Sequence, residues 1–212
     1  MGRSIIAVLA AALLMLVAVL LMLAGALLMP AGVLAASAKS KSASCAYANL
    51  RPAPANAASI DAATLCLIDH IRAAYHLRPL RSNHELQAVA TTLVSGMVRN
   101  NYYSDNSPSG QSPGALIETI PYGAHATSLS TAQDLGWGTL SDATPAGIVR
   151  AWMDSPPHRQ IILTAAFRDA GIGVAPAVPT VIGAGTLGAT YAVEFGARGC
   201  GQRAARCGVL GR

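Results

Sequence analysis

The order of patterned segments predicts an α+β domain, with most helices first and the strands last. Apolar residues at helical spacing run through 61–76 and then through a second helix, which Ser82 is expected to cap and which ends near Asn100. Later, 170–175 and 191–196 alternate small and branched residues in the manner of buried strands. We expect these two strands to pair antiparallel, which favours α+β over a βαβ sheet.

The N-terminal 38 residues have the pattern of a targeting segment. Arg3 precedes a run from Ser4 to Ala38 that contains no charged residue and is dominated by Leu, Ala, Val and Met. The run ends in small residues suited to cleavage, and it is also long enough to span a bilayer. Residues 1–38 are therefore predicted to be either a cleaved signal peptide or an uncleaved transmembrane helix that anchors the chain. Both alternatives place the domain outside the cytoplasm.

The remaining chain divides into three parts. Residues 39–60 are rich in Ser, Ala, Pro and Asn and are predicted to be a linker or loosely packed lead-in. Residues 61–197 carry the helical and strand patterns and form the predicted domain, which is long enough for a proper core. Residues 198–212 form a C-terminal tail that contains arginine and cysteine.

The four cysteines are expected to form disulfides, because their number is even and the chain is predicted to be exported. Three pairings are possible. Pairing of nearest neighbours would join Cys45 to Cys66 and Cys200 to Cys207, one bridge at each end of the domain. A zinc site is disfavoured, since no Cys-x-x-Cys spacing occurs.

The net charge of +5 comes almost entirely from scattered arginines. No basic stripe with interleaved aromatic residues is present, so a nucleic-acid partner is not expected. The charge is compatible with anionic envelope polymers or lipid head groups as partners.

One stretch, residues 151–163, joins the end of one helix to the start of the next. Ser155 is expected to cap the second helix by accepting a backbone N–H, with Pro156 at its first position. His158 then lies in the first turn, beside the positive end of the helix dipole. A histidine held there is kept neutral and could serve as a base or a ligand; it could equally be a half-buried structural residue.

Several motifs, in order along residues 60–197, resemble those of bacterial members of the CAP superfamily (the SCP-like extracellular domain of cysteine-rich secretory, antigen five and pathogenesis-related proteins). The resemblance implies an α-β-α sandwich, with a small antiparallel sheet between helical layers. The motifs that carry it are Cys66-Leu67-Ile68-Asp69-His70-Ile71-Arg72, His76-Leu77-Arg78-Pro79-Leu80, Tyr102-Tyr103-Ser104-Asp105-Asn106-Ser107-Pro108-Ser109-Gly110, Gln133-Asp134-Leu135, Trp152 to Leu163, Gly171-Ile172-Gly173 and Tyr191-Ala192-Val193-Glu194-Phe195-Gly196.

Many members of this superfamily gather two histidines and acidic side chains in one cleft, where the histidines can hold a divalent metal. This chain departs from that pattern: the first histidine position is Asp105, the glutamate of Glu-Asn-Ile is Gln133, and the second acidic position is Ser155 or Asp154. Only His158 remains of the two histidines. We therefore expect no cofactor and a degenerate metal cleft, in which His158 hydrogen-bonds Asp105; a weak site formed by His158 with Asp105 is the alternative.

The chemistry of a hydrolase has weak candidates. Ser155 or Ser107 could be a nucleophile with His158 as its base, but helix capping and a turn explain these two serines. No Gly-x-Ser-x-Gly motif occurs, and Gln133 cannot act as a general acid in glycoside cleavage.

The sequence thus predicts a secreted or membrane-anchored bacterial protein whose extracytoplasmic CAP domain binds an envelope component, lipid or protein, without catalysis. Its cleft would be formed by His158, Asp105, Gln133, Ser155 and Tyr103. A metal-dependent or serine-type hydrolase of envelope polymers or peptides that uses His158 is the first alternative, and a lipid-binding protein is the second.

Overall fold

The computed structural model describes residues 44–124, 126–183 and 187–199. Within these ranges the chain forms seven α-helices and four β-strands, together with two short 3-10 helices, Pro54–Asn56 and Leu140–Ala143. The helices are α1 (Ala57–Ala74), α2 (His84–Arg99), α3 (Pro113–Thr119), α4 (Pro121–Ala124), α5 (Pro145–Asp154), α6 (Pro156–Ile162) and α7 (Thr180–Gly183). The strands are β1 (Arg81–Ser82), β2 (Ser128–Thr139), β3 (Asp169–Ala175) and β4 (Gly188–Gly199).

The four strands form one sheet in the order β1-β3-β4-β2. The predicted antiparallel pair is confirmed: β3 and β4 are paired, with Gly171 opposite Glu194. Strand β2 pairs antiparallel with the other side of β4 along its full length. The two-residue strand β1 pairs parallel with β3, so the sheet is mixed rather than purely antiparallel.

Helices cover both faces of the sheet. Successive side chains of β3 and β4 point to opposite faces, and apolar side chains occur on both. On one face, Ile172, Val193 and Phe195 share the main core with residues of α1, α5 and α6. On the other face, Ala175 and Ala192 pack with residues of α2. The expected α+β fold with a sheet between helical layers is therefore confirmed.

Helix α2 lies unusually close to β3. A Cβ atom added at Gly171 would lie 2.0 Å from the backbone nitrogen of Gln87, and one at Gly173 would lie 2.4 Å from the carbonyl carbon of Ala90. Real Cβ atoms do not approach backbone atoms to such distances, so only glycine permits this packing. The Gly-x-Gly of the strand is thus the contact surface for α2.

Side chains cap the starts of α5 and α2, and the cap of α2 differs from the predicted one. Thr144 caps α5, since its side chain accepts a hydrogen bond from the backbone N–H of Gly147. The cap of α2, however, is Asn83, whose Oδ1 accepts from the N–H groups of Glu85 and Leu86 at 3.0 Å. The prediction of Ser82 was wrong because Ser82 is held in β1.

Arg72 connects α1 to the chain between α6 and β3. Its side chain is fully buried, and its guanidinium donates hydrogen bonds to four backbone carbonyl oxygens. Buried charges are tolerated when they are hydrogen-bonded, and four hydrogen bonds engage most of the five N–H groups of this guanidinium. The four acceptors are the carbonyl oxygens of Arg78, Ile162, Thr164 and Phe167.

A disulfide joins Cys45 to Cys66, as one of the possible pairings predicted. Cys200 and Cys207 lie outside the described residues, as does the predicted signal peptide or anchor, residues 1–38. Helix α1 begins inside the stretch 39–60 that was predicted as a linker. Among the described residues, no helix combines the length and apolarity that a bilayer span requires.

Candidate functional site

The junction between α5 and α6 positions His158. Helix α5 ends at Asp154, Ser155 is extended (φ −94°, ψ 115°), and Pro156 starts α6. Trp152, which is 2% exposed, anchors the junction by donating its indole N–H to the carbonyl oxygen of Leu135 on β2. His158 is therefore fixed in the first turn of α6, against the edge of the sheet formed by β2.

Ser155 and His158 form a local pair. The Oγ of Ser155 lies 2.8 Å from Nδ1 of His158, and both side chains are partly buried. The prediction that Ser155 caps α6 was wrong: its hydroxyl makes no capping hydrogen bond, because it is turned toward the imidazole. Within the described part of the chain, the His158 ring has no other hydrogen bond, including the one expected with Asp105.

Gln133 is paired with an acidic residue that the sequence analysis did not single out. Gln133 lies directly opposite Glu194 in the ladder between β2 and β4, and its Nε2 donates to Oε1 of Glu194. Glu194 is 1% exposed. Burial raises the pKa of this carboxyl to about 7, although the hydrogen bond from Gln133 partly opposes the shift.

Asp134, the next residue on β2, points to the opposite face of the sheet because side chains alternate along a strand. It is fully buried, and neither carboxylate oxygen has a hydrogen-bond partner among the residues that the structure describes. Burial, and secondarily the charge of Glu194, raise its pKa to about 8. The sequence indicates this change of face. Where the family motif has Glu-Asn, this chain has Gln133-Asp134, so the acidic residue comes one position later and its side chain lies on the other face of the sheet.

Asp105 and Ser107 lie in the loop between α2 and α3. Asp105 is exposed and makes no hydrogen bond within the described ranges. Burial and the neighbouring charge of Asp105 raise the pKa of Tyr103 to about 12, and Tyr103 packs against the core beside α2. The Ser107 hydroxyl is 2.8 Å from that of Ser109 and accepts the N–H of Gln111 at 3.1 Å, so it stabilises a turn.

These residues do not fit the metal site that the superfamily implies. Zinc requires three or four protein ligands of the N, S or O type. In the described part of the chain, His158 belongs to no group of three His, Cys, Asp or Glu ligand atoms close enough to share an ion. The donor N–H of the Gln133 amide already faces Glu194, and Ser155 occupies one nitrogen of the His158 ring.

A cleft of about 580 Å³ opens between α2 and the segment that leads into α3. Its volume is within the usual range for small-molecule sites. Apolar side chains form much of its surface, Arg99 is the one charged residue among those lining it, and Ser107 belongs to its rim. The lining residues are Val89, Thr92, Leu93, Gly96, Arg99, Asn100, Tyr102, Ser107, Pro108, Ser109, Gln111, Ser112, Pro113 and Leu116.

Comparison with solved structures gives similar folds at low sequence identity. An outer surface protein of Borrelia burgdorferi superposes with a TM-score of 0.50 at 20% identity, covering 62% of this chain and 87% of that one. An extracellular SCP-domain protein of Bacillus anthracis (TM-score 0.48, 20% identity, 68% of this chain) and a cysteine-rich secretory protein of Staphylococcus aureus (TM-score 0.48, 19% identity, 69%) are similar. The chain spans 41% and 40% of the lengths of these last two proteins.

Comparison of sequences gives the family. No curated protein sequence matches the chain significantly. The sequence model of the cysteine-rich secretory protein family, CAP, matches residues 65–179, which is more than half of the chain and includes α2, the loop with Asp105, and the junction with His158. The resemblance of the motifs and the α+β fold agree with this match. The chain belongs to the cysteine-rich secretory protein (CAP) family.

Proposed function

We propose that this protein is an exported CAP-domain protein that acts as a non-catalytic binding module at the bacterial cell envelope. The observation that carries the proposal is the pairing of Gln133 with Glu194. At the position where the family motif has a glutamate, this chain therefore has an amide that is hydrogen-bonded to a buried carboxyl. Together with the pairing of Ser155 and His158, this hydrogen bond leaves His158 outside every group of three His, Cys, Asp or Glu ligand atoms that the described residues form.

The cleft beside α2 is the proposed binding site. Its lining combines apolar side chains such as Leu93 and Leu116 with serine hydroxyls and the guanidinium of Arg99, and the described residues that line it include no carboxylate. Such a surface suits a neutral or anionic amphipathic ligand, because apolar contacts supply affinity and a few polar groups supply orientation. An envelope lipid or an anionic polymer with apolar substituents has this chemistry.

Two measurements test the proposal. The purified chain, kept under non-reducing conditions, is first titrated with Zn²⁺; we expect no stoichiometric binding and no difference between the parent and His158→Ala. Binding to anionic lipid vesicles and to isolated envelope polymer is then compared for the parent, Leu93→Glu and Leu140→Glu. Leu140 is 61% exposed and lies outside the cleft, so it is the matched control. Stoichiometric zinc that depends on His158, or equal binding by both leucine variants, contradicts the proposal.

A serine hydrolase is the second candidate, and the distance of 2.8 Å between Ser155 Oγ and His158 Nδ1 favours it. That distance suits a nucleophile and its base. A triad also needs a third group to orient the base, and no described residue hydrogen-bonds the other ring nitrogen. We therefore expect no covalent labelling of Ser155 by a fluorophosphonate probe. Labelling that disappears in both Ser155→Ala and His158→Ala would favour the hydrolase.

A further inference from the structure

The disulfide between Cys45 and Cys66 has a histidine beside it. The Nδ1 atom of His70 lies 3.7 Å from the sulfur of Cys45. The two sulfurs and the histidine nitrogen all lie within 4.8 Å of one another. This is the one place in the described residues where three potential metal ligands of these types converge.

Helix α1 fixes two of the three ligands. Cys66 and His70 are four residues apart on this helix, so their side chains project from the same face. His70 is exposed, and nothing in the described chain hydrogen-bonds its ring except the contact with Cys45. No partner other than the Cys45 sulfur therefore has to be displaced, among the described residues, for Nδ1 of His70 to bind a metal.

The third ligand stays close even without the disulfide. Cys45 begins a short turn in which the N–H of Leu50 bonds the carbonyl oxygen of Tyr47 at 2.9 Å. The turn is fastened to α5 by a hydrogen bond of 2.8 Å from the N–H of Ala146 to the carbonyl oxygen of Ala48. The position of Cys45 is thus restrained by contacts that do not involve its sulfur.

We propose that these three residues form a zinc site that becomes available when the disulfide is reduced. The ligand set, two thiolates and one imidazole, is one that zinc prefers. Tetrahedral zinc with its usual bond lengths places neighbouring ligand atoms about 3.5–3.8 Å apart. Cys45 and His70 already have this separation, and the two sulfurs have to move apart once their bond is broken. Water fills the fourth position.

The chemistry takes two balanced steps. Two equivalents of a small thiol reduce the disulfide, giving the Cys45 and Cys66 thiols and one oxidised disulfide of the reductant. Zn²⁺ then forms two Zn–S bonds and one Zn–N bond while both thiols release their protons to solvent. His70 contributes Nδ1 as a neutral imidazole with its proton on Nε2. In the oxidised chain the two sulfurs are not thiolates and cannot serve as ligands.

The experiment is a titration of the full chain with Zn²⁺ and, for spectroscopy, with Co²⁺, before and after reduction by a small thiol. To remove competing thiols, it is done in a Cys200→Ser, Cys207→Ser background. We expect no binding to the oxidised chain, one equivalent after reduction, and a sulfur-to-cobalt charge-transfer band. His70→Ala should weaken binding by more than the roughly 10–100-fold that loss of an outer-shell partner costs.

His84→Ala is the matched control, since His84 is also exposed and begins a helix. It should bind zinc like the parent. The proposal is overturned if reduction adds no zinc, if cobalt shows no charge-transfer band, or if His70→Ala binds as tightly as His84→Ala. Zinc binding to the reduced chain is measured separately from the titration at His158, which uses the oxidised chain. The zinc-site proposal can therefore fail while the proposed function stands, and the reverse.

Discussion

The Nε2 of Gln133 donates a hydrogen bond to Oε1 of Glu194, its direct partner across the strands β2 and β4. Glu194 is almost completely buried, so this amide replaces hydrogen bonding that water would otherwise provide. A glutamate at position 133 could donate in this way only when it is protonated. The amide is therefore suited to this neighbour in a way that the family's usual acid is not.

The first prediction concerns Gln133→Glu. We expect a loss of roughly 1–3 kcal/mol in the free energy of unfolding at pH 8, because a buried donor is removed and two carboxyls face each other. The loss should be smaller at pH 5, where the two carboxyls can share a proton. Urea unfolding at both pH values measures this. Gln111→Glu, on an exposed residue, is the control, and an equal loss at both pH values would contradict the explanation.

The second prediction concerns the pH dependence of stability. Burial raises the pKa of Asp134 from 3.8 to about 8 and that of Asp61 from 3.8 to about 6. At a pH between the ordinary pKa of 3.8 and the raised pKa of each carboxyl, that carboxyl is protonated in the folded chain and ionised in the unfolded chain. Stability therefore falls as pH rises through this window, by about 1.4 kcal/mol per pH unit for each such proton. Thermal unfolding should occur at a higher temperature at pH 5 than at pH 8.

Asp134→Asn separates the contribution of this residue. An asparagine cannot ionise, so we expect the variant to be more stable than the parent at pH 8 and to show a shallower decline between pH 5 and pH 8. The control is Asp142→Asn, because Asp142 is exposed and forms an ion pair with the exposed Arg150. If both variants show the parent's pH dependence, Asp134 is not the group that titrates.

The third prediction concerns Arg72→Met. Methionine keeps much of the apolar volume but removes the guanidinium donor from four backbone carbonyl oxygens, of which, within the described residues, only that of Phe167 keeps another hydrogen bond, from Arg168. We expect a loss of at least about 3 kcal/mol, since each unsatisfied buried acceptor is costly. Arg150→Met removes an exposed ion pair and should cost less than about 1 kcal/mol. Denaturant unfolding compares the two; similar losses would mean that the buried hydrogen bonds of Arg72 contribute little.

The fourth prediction concerns Gly171→Ala. The added Cβ would collide with the backbone of α2 near Gln87, so the helix must move away from the sheet. We expect a loss of about 3 kcal/mol or more, as for other overpacked cores. Gly114→Ala is the control, because its nearest neighbour is the hydroxyl of Thr131 at 3.3 Å and alanine favours helix. A variant of Gly171 as stable as that of Gly114 would refute the close packing.

The strands were predictable where apolar alternation was strong and not elsewhere. The pair formed by 170–175 and 191–196 was predicted because both strands are buried along these segments. Strand β2 runs from Ser128 to Thr139 and lies outside the two alternating segments that predicted strands. Its first half is polar and partly exposed, as an edge strand can be, so apolar alternation does not reveal it. Pairing with the whole of β4 fixes its length instead.

The candidate site was predictable in its positions but not in its partners. The motif match found His158, Gln133 and Asp105 along the chain. It did not reveal that Ser155 turns to the imidazole, because capping and side-chain pairing use the same hydroxyl and only the local geometry decides between them. Glu194 and Asp134 were missed because a charged residue is normally expected at the surface, and their burial results from pairing of the strands.

The indole of Trp152 also has a protective role. Strand β2, twelve residues long, is an outer strand of the sheet, and such strands can recruit strands from other molecules into aggregates. By donating to the carbonyl oxygen of Leu135, Trp152 engages one backbone acceptor of this outer strand, which is then less available to an incoming strand. The same junction that positions His158 therefore also satisfies part of the backbone of the sheet edge.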